Sequence, residues 1–559
     1  MSDNLEKMIT VTYNRMDVKE FPVGTTLKQI ARSYQHYYDY EILVAKVDND
    51  ITELSEPVNK RCNVDFFDRS SSLGYNAYRT SAIFMLIVAI KNLYGEETKV
   101  LVDHSLDRGV FCKLIDIECT DEIIKDIDTE MRKISRADYL FKKISVARVD
   151  AIKYYKNRHR QDKADILKYI SNTYINLYKL DNIYDYFYTK MAYSTRQIDD
   201  FRITRINETG FVLSFPTILN PECTLDYIHH DRVFEVFQTF GDLCKKLKVS
   251  TAADLNRVVS SAKADELIRL SESYYNTQLV EISNDIYEKK KKIKLVLLAG
   301  PSSSGKTTSA KKLMMFLKSR GLNVIQLSTD DYFLNKIDTP KNDKGEYDFE
   351  SLKSVDLDLF NKHLIQLLDG NKVEIPSYNF VVGKREYKKN FVQLEEDDIL
   401  IVEGIHALND ALTMSVDRYN KYKIYISPLA QLNVDYHSHV HTSDVRRLRR
   451  IIRDSKHRGR TAASTLKMWP SIERGEHQNI YPFQNEVDVV INSSLIYEIG
   501  VLKTYVEPLL FCVSEDDPVY PEALRLINFL RNFLPIPSDD VPPDSVLREF
   551  IGGSCFFER

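Results

Sequence analysis

The sequence of 559 residues has few of the features that mark a secreted, membrane or zinc-binding protein. Its seven cysteines are scattered and include no C-x-x-C pair, which argues against a disulfide framework or a structural zinc site. MSDNLEKMIT lacks the basic and apolar regions of a signal peptide, and the most apolar run, at 81–90, is too short to span a bilayer. The net charge of -4 does not indicate a nucleic-acid partner. We therefore expect a cytoplasmic, multidomain protein with no membrane partner.

Five stretches of the chain differ in pattern. Residues 1–68 alternate short strands with turns around one capped helix, which predicts a compact α+β unit. Residues 69–225 mix amphipathic helices with strands, and residues 226–290 read as a helical connector that ends in a solvated lysine run. Residues 291–515 alternate Val, Ile and Leu strands with helices, which predicts an α/β domain with a parallel sheet covered on both faces. Residues 516–559 form a proline-rich tail that we expect to wrap an existing surface.

The stretch GPSSSGKTT, residues 300–308, matches the phosphate-binding pattern G-x-x-x-x-G-K-[ST] between a strand and a helix. Its backbone N–H groups are expected to bind the β-phosphate, Lys306 to reach the β- and γ-phosphates, and Thr307 to bind Mg²⁺. ATP and Mg²⁺ are therefore the predicted cofactors. NKID at 335–338 copies a guanine-reading motif, but it follows the P-loop too closely and no D-x-x-G element lies between them. The predicted ATP-binding residues of the loop are Gly300, Ser302, Ser303, Ser304, Gly305, Lys306, Thr307 and Thr308.

Two carboxylates at strand ends are candidates for the chemistry of phosphate transfer. Asp330, in LSTDDYF, follows the second strand of the α/β stretch, which we expect beside the first. There it can accept the proton of an acceptor hydroxyl and contact Mg²⁺ through water. Asp331 is the alternative base, since either residue can instead cap the next turn. Glu403 ends the apolar strand ILIVE and is predicted to bind the metal, because ligands sit at the carboxyl ends of such strands.

A basic stretch, RRLRRIIRDSKHRGR at 446–460, follows these motifs. Arg446, Arg450 and Arg453 share one helical face, and the stretch is either a lid over ATP or a nucleic-acid patch. The P-loop and the two upstream acids favour the lid. HSHVH at 437–441 offers three histidines at period two, but no cysteine or paired carboxylate completes a metal site. We expect it to form an exposed or substrate-side loop.

The α/β stretch resembles, over residues 293 to about 510, the uridine kinase and phosphoribulokinase group of P-loop kinases. The ordered matches are GPSSSGKTT, STDDYF, YDFESL, IPSYNF, VEGIHAL and RRIIRDSKHRGR. The resemblance implies Asp330, Lys306 and Arg453 as catalytic residues and Thr307, Glu403 and Asp330 around the metal. It further implies Asp348 on ribose hydroxyls, Tyr378 and Phe380 on the base, Arg450 on the substrate, and Arg458 and Arg460 closing the lid over ATP.

Two positions depart from the uridine kinase pattern. The histidine with which pyrimidine-specific members read the base corresponds here to Gly383, and a glutamine of the lid corresponds to Met468. Two segments, WPSIERGEHQNIYPFQ and EGIH, resemble phosphoribulokinases somewhat more than uridine kinases. Phosphate transfer is still expected, but uridine as the acceptor is put in question.

The first half resembles the front of threonyl-tRNA synthetases: a ubiquitin-like TGS domain and then the editing domain, over roughly residues 8–215. The His-x-x-x-His positions of the editing site are Thr80 and Phe84 here, and YFYTKMAYSTRQ, where its later loop falls, has neither Cys nor His. Hydrolytic editing is therefore not expected. The domain can remain as a binding or regulatory module. KYYKNRHRQDK at 153–163 would suit RNA, although an ordinary exposed helix is the simpler interpretation.

The leading hypothesis is an ATP- and Mg²⁺-dependent kinase that phosphorylates a primary hydroxyl of a nucleoside-like small molecule. The alternatives are a phosphoribulokinase-like sugar-phosphate kinase and an RNA-binding regulator whose NTPase acts as a switch. The sequence leaves open the identity of the acceptor and whether the chain forms a homo-oligomer.

Overall fold

The first unit is a mixed five-stranded sheet packed on one short helix. The computed structural model describes residues 7–341, 345, 347–379 and 382–557. The strand order is β2-β1-β7-β4-β5, with β1 and β7 parallel and the other pairs antiparallel. A capping box between Thr26 and Gln29 starts the helix. The elements are β1 Met8–Tyr13, β2 Asp17–Pro22, β3 Thr25–Thr26, α1 Leu27–Arg32, β4 Ile42–Val47, β5 Asp50–Glu53, β6 Pro57–Val58 and β7 Cys62–Asp68.

The second unit surrounds a long apolar helix with two antiparallel sheets, ordered β13-β14-β9-β8 and β10-β11-β12. This helix, α2, begins at Ser72 because Ser71 caps it, and it ends before Gly95 at φ 95°. It is long and apolar enough to cross a membrane, but 89% of its most apolar window is buried inside the protein, as in a core helix. The elements are α2 Ser72–Tyr94, β8 Lys99–Leu106, β9 Gly109–Ile115, α3 Asp121–Arg136, β10 Lys142–Ala147, α4 Arg148–Asn157, α5 Gln161–Ile166, β11 Tyr174–Leu180, β12 Ile183–Asp185, β13 Arg202–Asn207 and β14 Gly210–Ser214.

Three helices connect this unit to the α/β region: α6 Asp231–Lys246, α7 Ala252–Ser260 and α8 Ala264–Glu288. The apolar face of α8 packs against the α/β region, and the Tyr275 hydroxyl reaches the Ser309 hydroxyl at 2.5 Å. The lysine run after α8 is exposed, as the sequence predicts.

The α/β region is built on a five-stranded parallel sheet ordered β16-β19-β15-β20-β21. The expectation that the second strand lies beside the first is wrong, because β19 pairs with both and separates them. A hairpin, β17–β18, is added outside the sheet. The elements are β15 Leu295–Ala299, α9 Lys306–Lys318, β16 Val324–Ser328, α10 Leu357–Leu368, β17 Val373–Asn379, β18 Lys384–Val392, β19 Ile399–Glu403, β20 Lys421–Ser427, α11 Thr442–His457, α12 Ala462–Asn479, β21 Val489–Asn492, α13 Glu498–Phe511, α14 Tyr520–Leu530 and α15 Arg548–Ile551.

The two halves of the chain share buried polar contacts. Lys163 is fully buried and its ammonium lies 3.2 Å from Asp185 and 2.9 Å from Asp435, one carboxylate from each half. Asp162 accepts the backbone N–H of Tyr436 at 3.1 Å, 274 residues further along the chain. Unpairing such charges in a protein interior costs several kcal/mol, so these contacts hold the halves in one arrangement.

Candidate active site

The loop between β15 and α9 has the shape of a phosphate cradle. A Cβ built on Gly300 would lie 2.1 Å from the carbonyl oxygen of Ile426, so only glycine fits beside β20. Gly305 has φ +86°, which also favours glycine. Among the described residues, the buried hydroxyls of Ser303 and Ser304 have no hydrogen-bond partner. Helix α9 begins at Lys306, so these hydroxyls lie at its N-terminus, which carries a partial positive charge. The loop therefore fits a bound triphosphate.

Glu403 is the last residue of β19 and lies next to this loop, because β19 is the neighbour of β15. Its Oε1 accepts a hydrogen bond from the Thr307 hydroxyl at 3.1 Å. Burial, reinforced by the charge of Asp330, raises the pKa of Glu403 to about 7. The Lys306 ammonium donates to the carbonyls of Gly300 and Pro301 at 2.8 and 3.2 Å, and burial lowers its pKa. A hydroxyl and a carboxylate in contact at a strand end are suitable ligands for Mg²⁺.

The two neighbouring aspartates after β16 do different things. Asp331 accepts the backbone N–H of Tyr378 at 3.2 Å, and burial raises its pKa. The carboxylate of Asp330 instead interacts electrostatically with both Lys306 and Glu403. Asp331 therefore positions the β17 strand, and Asp330 is the carboxylate of the pair that faces the P-loop lysine.

Helix α11 lies directly on the P-loop. Arg446 donates from Nε to the Ser302 carbonyl at 3.0 Å, and Arg450 hydrogen-bonds the Ser302 hydroxyl. Arg453 reaches the same hydroxyl at 3.5 Å, and burial among the other arginines lowers its pKa to about 9. Buried guanidinium groups that contact a phosphate loop suit the stabilisation of transferred negative charge. Since Arg446 and Arg450 are buried, this face of the helix is not an exposed nucleic-acid patch.

The turn after α11 holds the two remaining arginines of the predicted lid. Arg458 lies 3.4 Å from Asp454, and Arg460 contacts the Met468 sulfur at 3.5 Å on the surface. These two contacts are with residues of α11 and α12.

A carboxylate that the sequence analysis did not select, Glu350, lies deeper in the site than Asp348. Glu350 packs against Gly475 of α12, where a Cβ on the glycine would be 2.4 Å from the Glu350 Cβ. Burial raises the pKa of Glu350 to about 7, and its charged neighbours are Arg450, Glu476, Lys306 and Asp330. Asp348 uses its Oδ1 to accept the Glu350 backbone N–H at 3.2 Å. Glu350 is the next acid in YDFESL, two residues after Asp348, but the motif alone does not distinguish it from a surface residue.

Of the two residues predicted to bind the base, the structure describes Tyr378. Tyr378 is buried on β17, its ring 5.6 Å from Phe333 in an edge-on contact, and Phe380 lies outside the described residues. Gly383 has φ +70°, and a Cβ there would be 2.9 Å from the Lys336 Cβ. A histidine at this position is therefore disfavoured by backbone strain as well as by contact.

The C-terminal tail covers the P-loop helix. Glu549 accepts hydrogen bonds from the Thr308 backbone N–H at 3.2 Å and from the Thr308 hydroxyl at 2.8 Å. Its other carboxylate oxygen lies 3.8 Å from Arg453, and Val546 packs over Gly305. The surface that this part of the tail covers is the start of α9. There the Glu549 carboxylate contacts the helix N-terminus, where anions bind favourably.

The histidine stretch HSHVH and the positions of the predicted editing site are buried between the two halves or inside the first half. HSHVH is not an exposed loop: His437 is bonded to Asp185, and His439 lies 2.9 Å from the Ser105 hydroxyl. The Thr80 hydroxyl contacts Thr189 at 2.8 Å, and Phe84 is fully buried. No group of three metal-binding side chains occurs among the described residues.

Two cations of the basic stretch at 153–163 are paired with carboxylates. Arg160 forms two hydrogen bonds with the Asp162 carboxylate, at 2.9 and 2.8 Å, and Lys163 is buried with Asp185 and Asp435. These two cations are therefore not available to a nucleic-acid backbone.

The fold and the site together define a P-loop phosphotransferase: a parallel sheet, a phosphate cradle, two strand-end carboxylates and a helix of arginines on the loop. Comparison with known proteins identifies the family. Residues 295–498 match the Phosphoribulokinase / Uridine kinase family model. The chain is 31% identical over 195 residues to a uridine kinase of Bacillus pumilus, covering 35% of this chain and 83% of that enzyme. A uridine kinase of Staphylococcus epidermidis is 31% identical over 199 residues, 35% of this chain and 86% of that enzyme.

The chain belongs to the phosphoribulokinase/uridine kinase family and is a phosphotransferase with a hydroxyl acceptor. Among solved structures, a D-glycerate 3-kinase from Cryptococcus neoformans aligns with 38% of this chain and 90% of that one, at 17% identity and a TM-score of 0.28.

Proposed function

We propose that this protein transfers the γ-phosphate of ATP to a primary hydroxyl of a nucleoside. The main support for this proposal is a cluster of side chains at the P-loop, in a chain similar to the uridine kinases of Bacillus pumilus and Staphylococcus epidermidis. Thr307 contacts Glu403, the charges of Glu403 and Asp330 act on Lys306, and Arg450 of α11 contacts the loop. In this proposal the cluster supplies each part that the reaction needs: a phosphate cradle, a base, a metal-binding pair and cations for the developing charge.

In this proposal Asp330 accepts the proton of the acceptor hydroxyl as that oxygen bonds to the γ-phosphorus. The bond between the γ-phosphorus and the β,γ-bridging oxygen breaks, and ADP leaves with the electron pair. Lys306 and Arg453 stabilise the charge on the transferred group, and burial of both cations strengthens that interaction. The contact of Asp331 with the Tyr378 backbone leaves Asp330 as the base.

Thr307 and Glu403 would hold Mg²⁺, with Asp330 contacting it through water. When bound, the metal neutralises phosphate charge and orients the β- and γ-oxygens. Because burial raises the pKa of Glu403 to about 7, this carboxyl is protonated over part of the physiological range and would have to lose that proton to hold Mg²⁺.

For the acceptor we propose Glu350, rather than Asp348, as the carboxylate that binds its hydroxyl groups. Glu350 shares the surroundings of Lys306, Asp330 and Arg450, whereas the Asp348 carboxylate is bonded to the backbone of Glu350. The edge-on pair of Tyr378 and Phe333 supports a place for Tyr378 on the base side. Because position 383 is a glycine, another group would have to recognise the base, or the enzyme would be less selective among bases.

The first half is proposed to be a TGS-like and a degenerate editing-like module. The strand order β2-β1-β7-β4-β5 around one helix supports a ubiquitin-like first unit. The contacts of Thr80 and the burial of Phe84 support loss of the editing site. The domain boundaries given from the sequence remain part of this proposal.

The test is an acceptor screen with the full-length chain: uridine, cytidine, adenosine and ribulose 5-phosphate, with ADP release and product mass as readouts. A nucleoside 5′-phosphate is the expected product, and phosphorylation of ribulose 5-phosphate alone would replace the proposal with the sugar-phosphate kinase. Glu350→Gln should raise the KM of the acceptor while sparing the KM of ATP, and Asp348→Asn is the matched control. An equal KM effect in both variants would contradict the role of Glu350.

A further inference from the structure

A second cleft, of about 260 Å³, lies between the first half of the chain and the kinase region. Its walls come from α2, the β8–β9 hairpin and α6 on one side, and from α11 and α12 on the other. Arg446 of α11 lines both this cleft and the P-loop, whereas no residue assigned above to Mg²⁺ or the acceptor lines the cleft. Part of its wall is apolar, from Leu106, Val110 and Phe237.

Arg79 of α2 lines this cleft as a buried cation. Only 5% of the residue is exposed, and burial lowers the pKa of its guanidinium. Its Nη1 donates to His441 Nδ1 at 3.0 Å, while its Nε has no hydrogen-bond partner among the described residues. Within that part of the chain Arg79 has no ion-pair partner. The charge of Asp444 compensates Arg79 only in part, because Asp444 makes its direct contacts with Arg447 and Arg525. A desolvated cation without a direct counter-ion is unfavourable, which indicates that an anion completes the site.

The other two arginines near Arg79 are already neutralised. Arg525 contacts Asp444 at 2.6 Å and Glu522 at 2.7 Å. Arg447 contacts the same two acids at 3.1 and 2.8 Å. The acids at this end of the cleft thus make their direct contacts with Arg447 and Arg525. Asp444 acts on Arg79 through its charge only, which leaves Arg79 without a direct ion pair among the described residues.

His441 supplies a second donor beside Arg79. An arginine only donates, so His441 Nδ1 must accept, and the ring proton is then on Nε2. Burial keeps the pKa of His441 well below its usual value, so the ring is neutral. Its Nε2 is buried and has no partner among the described residues.

We propose that this cleft binds a small organic anion through a carboxylate or phosphate group, with Arg79 as its counter-ion and His441 as a second donor. The apolar wall formed by Leu106, Val110 and Phe237 accommodates the non-polar part of the ligand.

The occupant would touch the segment that positions the P-loop. Helix α11 begins at Thr442, directly after His441, and its Arg446 and Arg450 contact Ser302. Ligand binding at Arg79 is therefore expected to change the affinity of the kinase site for ATP, and ATP the affinity of the cleft, by the same factor. The anion site itself does not depend on which acceptor is phosphorylated.

Calorimetric titration of the full-length chain with inorganic phosphate, and separately with citrate, tests the site. The protein is first saturated with a non-hydrolysable ATP analogue and Mg²⁺, so that the P-loop cannot bind the probe, and ionic strength is held constant. Arg79→Met should weaken anion binding by about ten-fold or more. It should leave the thermal midpoint of the anion-free protein unchanged or higher, because an unpaired buried charge is removed. Arg136→Met, at the exposed end of α3, is the control.

A second variant makes the test independent of how Arg79→Met folds. Glu473 is a half-buried acid of the same cleft that lies 3.2 Å from Arg447. Glu473→Gln removes a negative charge there and should tighten phosphate and citrate binding several-fold. Wild-type affinity in Arg79→Met, an unchanged affinity in Glu473→Gln, or no binding of either probe by the wild-type protein at millimolar concentration would each overturn the proposal.

Discussion

Replacing Glu549 with glutamine is expected to tighten ATP binding about ten-fold. The Glu549 carboxylate accepts hydrogen bonds from the N–H and the hydroxyl of Thr308, which are the groups predicted to bind phosphate at the start of the P-loop helix. A triphosphate and this carboxylate cannot share those donors, so ATP must displace the side chain. The competition therefore appears as a loss of ATP affinity in the wild-type chain.

The size of the effect follows from the two hydrogen bonds. A hydrogen bond to a charged group contributes about 1.5–3 kcal/mol net, and Glu549 is only 9% exposed, so screening by water is weak. Glutamine keeps one oxygen that can accept from Thr308 but loses the charge and the attraction of Arg453. We expect the contact between residue 549 and Thr308 to lose about 1.4 kcal/mol, which corresponds to a ten-fold lower Kd for ATP.

The assay is titration of the full-length chain with a fluorescent ATP analogue at fixed salt. Asp540→Asn is the control, because Asp540 is an exposed acid of the same tail and the charge change is identical. An affinity unchanged from wild type in Glu549→Gln would refute displacement. A weaker affinity would refute it more directly, since Glu549 would then assist nucleotide binding.

Three further predictions concern the base, a buried histidine and the contact between the halves. Asp330→Asn should lower kcat by about 10²–10⁴-fold with ATP affinity retained, whereas Asp331→Asn should mainly lower the thermal midpoint; similar kcat losses in both would contradict the assignment. Burial lowers the pKa of His406 to about 4, so the unfolded chain binds the extra proton and stability falls as pH drops from about 6.5 towards 4. The loss should be about 2 kcal/mol between pH 7 and 5, and a His406→Leu variant whose thermal midpoint falls equally with pH would argue against it. Lys163→Met removes the cation shared by two buried carboxylates and should destabilise the protein by about 3–5 kcal/mol, while Lys168→Met, at an exposed site, should change unfolding midpoints little.

The sequence predicts the parts of this protein that depend on local pattern. The P-loop and the strands of the parallel sheet are contiguous motifs, and their positions agree with the structure. The order of the strands depends on where each crossover returns, and so the place of β19 between β15 and β16 could not be read from the pattern. It makes Glu403, rather than Asp330, the carboxylate on the strand adjacent to the P-loop strand.

Site features that depend on contacts between distant segments could not be predicted from the sequence. Glu350 becomes a site residue because α12 packs on it, and Glu549 because the tail returns to α9. The burial of HSHVH depends in the same way on α2 and the β8–β9 hairpin of the first half. Acidic and histidine residues of this kind look identical to surface residues until the partner surface is known.

The hydrogen bond between Asp162 and the Tyr436 backbone has a consequence for how the protein is made. The two residues are 274 positions apart, so at about 5–20 residues per second the ribosome delivers the second roughly 14–55 s after the first. During that interval the nascent first half holds Asp162 and Lys163 without their partners from the second half. Translation speed through the kinase region, and chaperones that shield this surface, should therefore influence the yield of native protein.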